Sequence, residues 1–322
     1  MRRLFLVTQL LMLTGALVGP ARPARAVDYR AEMIQFVETI AAHARAVQPD
    51  FGVFPQNAAA LGADSNYVAT VTGIGQEDMH YGYDKAGRAT DAAVTAALAT
   101  NLVVFRDAGR IVLTVDYPFP NKHKPQFKRK TLTAVQTCYA DSLTNGFIPY
   151  CTVLELDALV VNPGFEPQPN LPAITNWSQV REFTYQLQPS KKQSRAQFLT
   201  ALGQSRFDLI VMDYSFDGSA EGEFTPEEIT ALKTQLGGKV LAYLSIGEAE
   251  DYRWYWQADW KKNPPAWLDR ENPNWKGNYE VRYWQPEWQA IILQYLDKII
   301  AAGYDGVYLD LVDNYEYYES QP

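Results

Sequence analysis

Short runs of β-branched and aromatic residues alternate with longer stretches of helical period along most of this chain, and nothing else constrains its fold as much. A strand, a helix and a second strand make a βα unit, whose strands lie parallel and buried on both faces. Strands are expected at 51–54, 67–74, 111–115, 147–153, 183–187, 209–212, 240–245, 281–283 and 307–311, with helices such as 31–47, 90–108, 130–143, 226–236 and 286–302. Nine strands are one too many for an eight-stranded barrel, and 281–283 is the weakest. Thr225, Pro226 and Glu228 spell a capping box with proline in the first turn, while Gly146, Gly237 and Gly303 follow helices where a left-handed residue is wanted. Residues 156–180 are rich in Pro and Asn, lack period, and read as a linker or long surface loop.

The N-terminus sets the compartment. Met1-Arg2-Arg3, an apolar run to about Val18 and an Ala24-Arg25-Ala26 end predict a secretory signal peptide cleaved after Ala26; the run is too short to span a bilayer. A secreted or periplasmic location is expected, with no membrane span in the remaining residues. About 295 residues then remain, enough for one large α/β barrel or two ordinary domains. A formal net charge of -8 argues against a nucleic-acid partner and disfavours an anionic ligand. Cys138 and Cys151 fall in an expected helix and the strand after it, so export predicts a disulfide between them. No metal or other cofactor is expected, because His43, His80 and His123 stand at no ligand spacing to a cysteine.

Several expected strands end in a carboxylate: Asp116, Asp213, Glu248 and Asp310. Any one of these could be a helix cap, but four at equivalent places suggest a shared acidic mouth, since the C-terminal strand ends of a parallel barrel face one opening. Seven of the eight tryptophans lie between Trp254 and Trp288, among Tyr252, Tyr255, Tyr279 and Tyr283. Aromatic faces stack on sugars and attract cations, which fits a platform for a polymer; Trp288, on an amphipathic helix, reads as core instead.

From Phe183 onward the chain resembles glycoside hydrolase family 114, the endo-α-1,4-polygalactosaminidase group. The matching text is Phe-Asp-Leu-Ile-Val-Met-Asp-Tyr-Ser at 207–215, Leu-Ala-Tyr-Leu-Ser-Ile-Gly-Glu-Ala-Glu-Asp-Tyr-Arg at 241–253, Gly-Asn-Tyr-Glu-Val-Arg-Tyr-Trp at 277–284 and Gly-Tyr-Asp-Gly-Val-Tyr-Leu-Asp-Leu-Val-Asp at 303–313. In the family these stretches form the first half of a barrel. Segments 33–57, 73–78 and 112–117 resemble its later strands. The resemblance therefore implies a circularly permuted (β/α)8 TIM-type barrel: residues 1–26 as signal peptide, 27–155 as the family's C-terminal half, 156–180 as the joint and 181–322 as its N-terminal half. Neighbouring first and last strands permit such a permutation, whereas two half-barrels would leave sheet edges unpaired.

Asp310 matches the family's catalytic aspartate. The second catalytic carboxylate, a Glu shortly after an Asn that closes the next strand, is absent here, where Ala58, Ala59 and Ala60 follow Asn57. Either Glu77, Glu248 or Glu250 supplies the proton, or the barrel binds sugar without cutting it. Glu77 ranks first because its strand follows that of Asn57. Substrate contacts are expected from Asp213, Tyr214, Glu250, Arg253, Trp254, Trp284, Tyr81, Asp116 and Asp313, with Arg253 and Arg282 able to orient carboxylates by bidentate pairing. The expected partner is a polysaccharide of galactosamine type, such as a partly deacetylated amino sugar. A nucleotide-processing enzyme is disfavoured by the lack of a Gly-rich phosphate loop and of an evident basic patch.

Overall fold

The computed structural model describes residues 27–168 and 172–321; the expected signal peptide lies outside them. Helix α1 (Tyr29–Val47) opens at Asp28, whose carboxylate accepts from Ala31 N, and buries Met33, Phe36, Val37, Ile40, Ala41 and Ala44, a stripe at helical spacing. There follow β1 (Gly52–Pro55), α2 (Ser65–Thr70), β2 (Gly73–Glu77), α3 (Ala92–Asp107), β3 (Ile111–Asp116), α4 (Arg129–Thr144) and β4 (Ile148–Cys151). A connection without an α-helix among its described residues leads to β5 (Phe183–Tyr185). Then come α5 (Arg195–Gly203), β6 (Leu209–Asp213), α6 (Pro226–Leu236), β7 (Lys239–Ser245), β8 (Glu248–Glu250), β9 (Leu268–Glu271), β10 (Asn278–Val281), α7 (Pro286–Ala301), β11 (Gly306–Asp310) and α8 (Tyr315–Glu319).

Eight of these strands lie in parallel sheets: five in the order β1-β11-β7-β6-β5 and three in the order β2-β3-β4. Strand β11, near the end of the chain, is thus bonded on one side by β1 from its beginning, in the register Gly52 with Gly306 through Pro55 with Leu309. The two sheets also meet at both margins. Gln56 forms a parallel bridge with Gly75, and Thr72 N donates to Val53 O at 2.9 Å. At the other margin the Thr184 hydroxyl donates to Tyr150 Oη at 2.8 Å.

Alternation along the strands sorts the core into two clusters. One face gives Phe54, Leu113, Val115, Tyr150, Phe183, Tyr185, Leu209, Val211, Leu241 and Tyr308, packed among themselves. The other face gives Val53, Ile74, Val112, Ile210, Met212, Val240, Ala242, Val307 and Leu309, which pack under the helices. Both clusters draw on residues from each half of the chain. Gly75 is required in the first cluster, because a Cβ there would lie 1.8 Å from the Tyr308 hydroxyl. Trp288 is fully buried, as expected, and spends its indole N–H on Ile246 O at 2.8 Å; cutting it to Ala should cost about 3–5 kcal/mol.

Three expectations need correction. Residues 67–74 are not one strand: Asp64 caps α2 by accepting from Asn66 N and Tyr67 N, Tyr67 and Val68 are buried from a helix, and β2 starts only at Gly73. The strand near 281–283 is β10, in a separate antiparallel sheet of order β8-β10-β9. The disulfide is not formed; Cys138 and Cys151 are buried free thiols, and burial pushes both up, away from the thiolate that oxidation needs. Residues 156–180 do form a long connection, anchored by Trp177, whose N–H donates to Asp50 O at 2.9 Å and whose ring lies 5.3 Å from that of Phe54. No described helix is long and apolar enough to cross a membrane.

Candidate active site

At the C-terminal ends of the neighbouring strands β2, β1 and β11 stand Glu77, Gln56 and Asp310, each followed by a residue with left-handed backbone. These are Asp78 (φ 59°), Asn57 (φ 60°) and Leu311 (φ 56°). Such conformations cost on the order of 1–3 kcal/mol for a non-glycine residue and collect where surroundings enforce them, which is often at functional sites. Here they turn the chain sharply and leave the preceding side chain on the rim.

Glu77 is clamped on both oxygens. Tyr117 donates its hydroxyl to Oε1, and Gln56 Nε2 and Asn57 Nδ2 donate to Oε2, the latter at 3.1 Å. Asn57 Oδ1 also accepts from Glu77 N at 2.9 Å, so one side chain braces both carboxyl and backbone. Burial, and then the neighbouring Asp310, push the Glu77 carboxyl up to about 8, against the opposing pull of Tyr117 and Asn57. Asp310 accepts from the Tyr243 hydroxyl at 2.7 Å and from Leu311 N at 2.8 Å. Burial raises its pKa, while these two donors hold it back. Asp313 is raised well above the carboxylate range by burial and then by Asp310. Glu77, Asp310 and Asp313 are all half-buried, and none forms an ion pair among the described residues.

The other acids are committed elsewhere. Asp213 receives both terminal nitrogens of Arg253 at 2.7 Å, and Arg253 Nε reaches Glu250 at 2.6 Å; all three are buried. The bidentate pairing expected of Arg253 is present. Arg282 lies 3.6 Å from Asp269, in an exposed pair. Glu248 is 2% exposed and holds Asn272 at 2.6 Å and Asn278 at 3.1 Å; its carboxyl is raised by burial and, further down the order of causes, by Asp310. Asp116 is fully buried, accepting from His80 N and Tyr81 N at 2.6 and 2.8 Å, and burial lifts it to about 7. It acts as a loop cap.

Four expected contact residues stand away from Glu77 and Asp310. Tyr214 donates to Glu223 at 3.0 Å and packs on Tyr295 and Tyr304. Trp254 lies against Tyr295, with Lys298 over its ring. Trp284 sits between Tyr29 and Tyr318, tying α1 to α8. Tyr81 lines a cavity of about 440 Å³ with His80, Thr95, Ala99, Asp141 and Asn145, which neither Glu77 nor Asp310 enters. Sequence reasoning missed Gln56, Tyr117 and Tyr243. The adjacency of Tyr117 to a strand-end Asp is visible in the sequence; the reach of Tyr243 to Asp310 requires the β7–β11 register, in which Ser245 faces Asp310.

Residues 164–321 match the sequence model of the glycoside-hydrolase family GH114. The uncharacterized protein MJ1477 of Methanocaldococcus jannaschii is 58% identical over 118 residues, 36% of this chain and 34% of that protein. An uncharacterized Thermotoga maritima protein is 47% identical over 120 residues, 37% of each chain. One from Deinococcus radiodurans is 46% identical over 125 residues, 38% of this chain and 39% of that one. The chain thus spans between 34% and 39% of the length of these curated relatives. Among solved structures, Aspergillus fumigatus Ega3 in complex with galactosamine aligns over 40% of this chain and 43% of its own, at 21% identity and a TM-score of 0.28. The glycoside hydrolase domain of PelA from Pseudomonas aeruginosa aligns over 36% and 42%, at 23% identity and a TM-score of 0.28.

Proposed function

Because residues 164–321 match the sequence model of glycoside-hydrolase family GH114, we propose that this chain is an exported glycoside hydrolase acting on a galactosamine-containing polysaccharide. It is built as one closed, circularly permuted (β/α)8 barrel. Support for closure comes from the contacts at both sheet margins and from an inner cluster shared by the two halves. Support for the permutation comes from the β1–β11 ladder and from the connection between β4 and β5, which has no α-helix among its described residues and suits a joint between old ends.

In this reading Asp310 is the ionised carboxylate, acting as nucleophile or as base for water, and Glu77 is the acid that protonates the departing glycosidic oxygen as its bond to the anomeric carbon breaks. A carboxyl lifted to about 8 keeps its proton at neutral pH, while the Tyr243 hydroxyl and Leu311 N–H favour charge on Asp310. An ionised Asp310, which has no ion-pair partner among the described residues, also attracts an amino sugar. The observation that carries the reading is that Glu77, Asp310 and Asp313, unlike Asp116, Glu248 and Glu250, keep accessible surface and, unlike Asp213, have no paired cation among the described residues. Incubation with a deacetylated galactosamine polymer should release reducing ends, and Asp310→Asn should stop their release.

A second reading, a barrel that binds sugar without cutting, is favoured by Ala58–Ala60. Ala58 and Ala59 are buried, so no acid from this segment reaches the mouth. Binding of the polymer without any reducing ends from the wild-type protein would decide for it.

A further inference from the structure

Between Asp116 and Asp141 the chain has no Asp or Glu, yet it carries Lys122, His123, Lys124, Lys128, Arg129 and Lys130. In a chain of formal net charge -8 this is a local reversal of sign, which the average conceals. All six side chains are exposed. Lys122 faces Glu155 at 3.6 Å and His123 faces Asp157 at 2.7 Å; among the described residues the other four enter no ion pair. Lys128 is the N-cap of α4, Arg129 and Lys130 open it, and its first turn holds no acid. The positive end of a helix repels cations, so this arrangement works against the helix; the Thr131 hydroxyl accepts from Lys128 N at 2.9 Å, but no acid in the first turn offsets the charge. A broken local rule without internal compensation points outward, to a ligand.

Place gives the kind of ligand. The loop after β3 leaves the sheet at the end where Glu77 and Asp310 stand, and it starts at Tyr117, whose hydroxyl clamps Glu77. Phe127, 37% exposed, packs edge-on against the buried Phe119 at 5.4 Å, which secures the loop and leaves an aromatic surface among the cations. A chain lying in the acidic mouth and passing over β3 meets this rim next. A uniformly cationic polymer would be repelled there.

We infer that Lys124, Lys128, Arg129 and Lys130 form a subsite for the carboxylate, phosphate or sulfate groups of a polysaccharide. Resting on the hydrolase reading, the substrate is then a mixed-charge polymer, with an amino sugar at the cut and acidic residues beyond it.

The test compares the full chain with Lys124→Gln/Lys128→Gln/Arg129→Gln/Lys130→Gln. Removing cations from a helix N-terminus leaves the fold at least as heat-stable, which thermal unfolding checks. Oligogalacturonate and neutral dextran oligomers of equal length are titrated at low salt and at about 0.5 M. The wild-type chain should bind oligogalacturonate on the order of tenfold more tightly than the variant at low salt, with the gap closing at high salt as an electrostatic contact requires. Dextran should not distinguish the two. Equal oligogalacturonate affinity in both proteins overturns the inference, as does wild-type binding confined to vesicles with anionic lipid. Reducing-end release from the galactosamine polymer, measured in parallel, separates the two claims. Turnover with equal oligogalacturonate affinity removes the subsite alone, whereas a tenfold gap without turnover removes the hydrolase and keeps an anion-binding rim.

Discussion

Two groups of carboxylates at the strand ends share residue type and position and differ in what surrounds them. On the β6 side, Asp213 and Glu250 enclose Arg253, and the three charges are buried together at hydrogen-bond distance. On the β2–β11 side, Glu77 and Asp310 receive only neutral donors, keep accessible surface and repel one another. A carboxylate neutralised inside the protein holds the fold. One left without a cation, in a half-buried place, resists ionisation and can carry protons. The position at a strand end decides neither outcome; the partner does.

The contrast can be broken by substitution. Asp310→Asn, nearly isosteric in a half-buried site, should abolish hydrolysis while leaving thermal unfolding within a few degrees of wild type; unaltered turnover would remove Asp310 from the chemistry. Arg253→Ala strands two buried carboxylates and should cost about 3–5 kcal/mol of stability, read by denaturant unfolding. A loss below about 1 kcal/mol would mean that water already solvates that group. Tyr243→Phe removes one of the two donors to Asp310 and should shift the acidic limb of the rate profile upward, with a loss on the order of tenfold in kcat. A further effect concerns stability against pH. Glu77 has its folded pKa raised, from an ordinary 4.5 to about 8, so its share of stability is full below about pH 4.5 and is lost as pH rises through about 8. Glu77→Gln, which imitates the protonated form, should lack that share of the decline. A decline of equal size in both proteins would contradict the raised pKa.

Much of this arrangement was legible in the sequence, because burial on both faces writes short apolar runs that period alone can find. Eight of the nine expected strands overlap observed parallel strands, and the expected neighbour of 307–311 is β1. The run at 67–74 misled because Tyr67, Val68, Val71 and Ile74 look β-forming, while the Asp64 cap and burial against Phe105 hold its first part helical. In the site, Asp310 was named from the family resemblance and Glu77 from strand order. The neutral clamps were not, since whether Gln56 or Tyr243 meets a carboxylate depends on side-chain reach between strands. The tryptophan-rich stretch supplied mostly packing: Trp254, Trp267, Trp284 and Trp288 each lie against other aromatic rings, and Trp275, 53% exposed, is the one most open to solvent. Aromatic composition alone cannot tell a sugar platform from the inner wall of a helix.

The central claim is that Glu77, taken from β2, supplies the proton that the Ala58–Ala60 segment cannot. The most direct measurement is the pH dependence of kcat/KM on a galactosamine polymer for wild type and Glu77→Gln. The account predicts a wild-type alkaline limb near pH 8. In Glu77→Gln it predicts a rate lower by about 10²–10⁴ at neutral pH, with that limb gone. An undiminished rate that still falls off near pH 8 in the variant would show that another group gives up the proton.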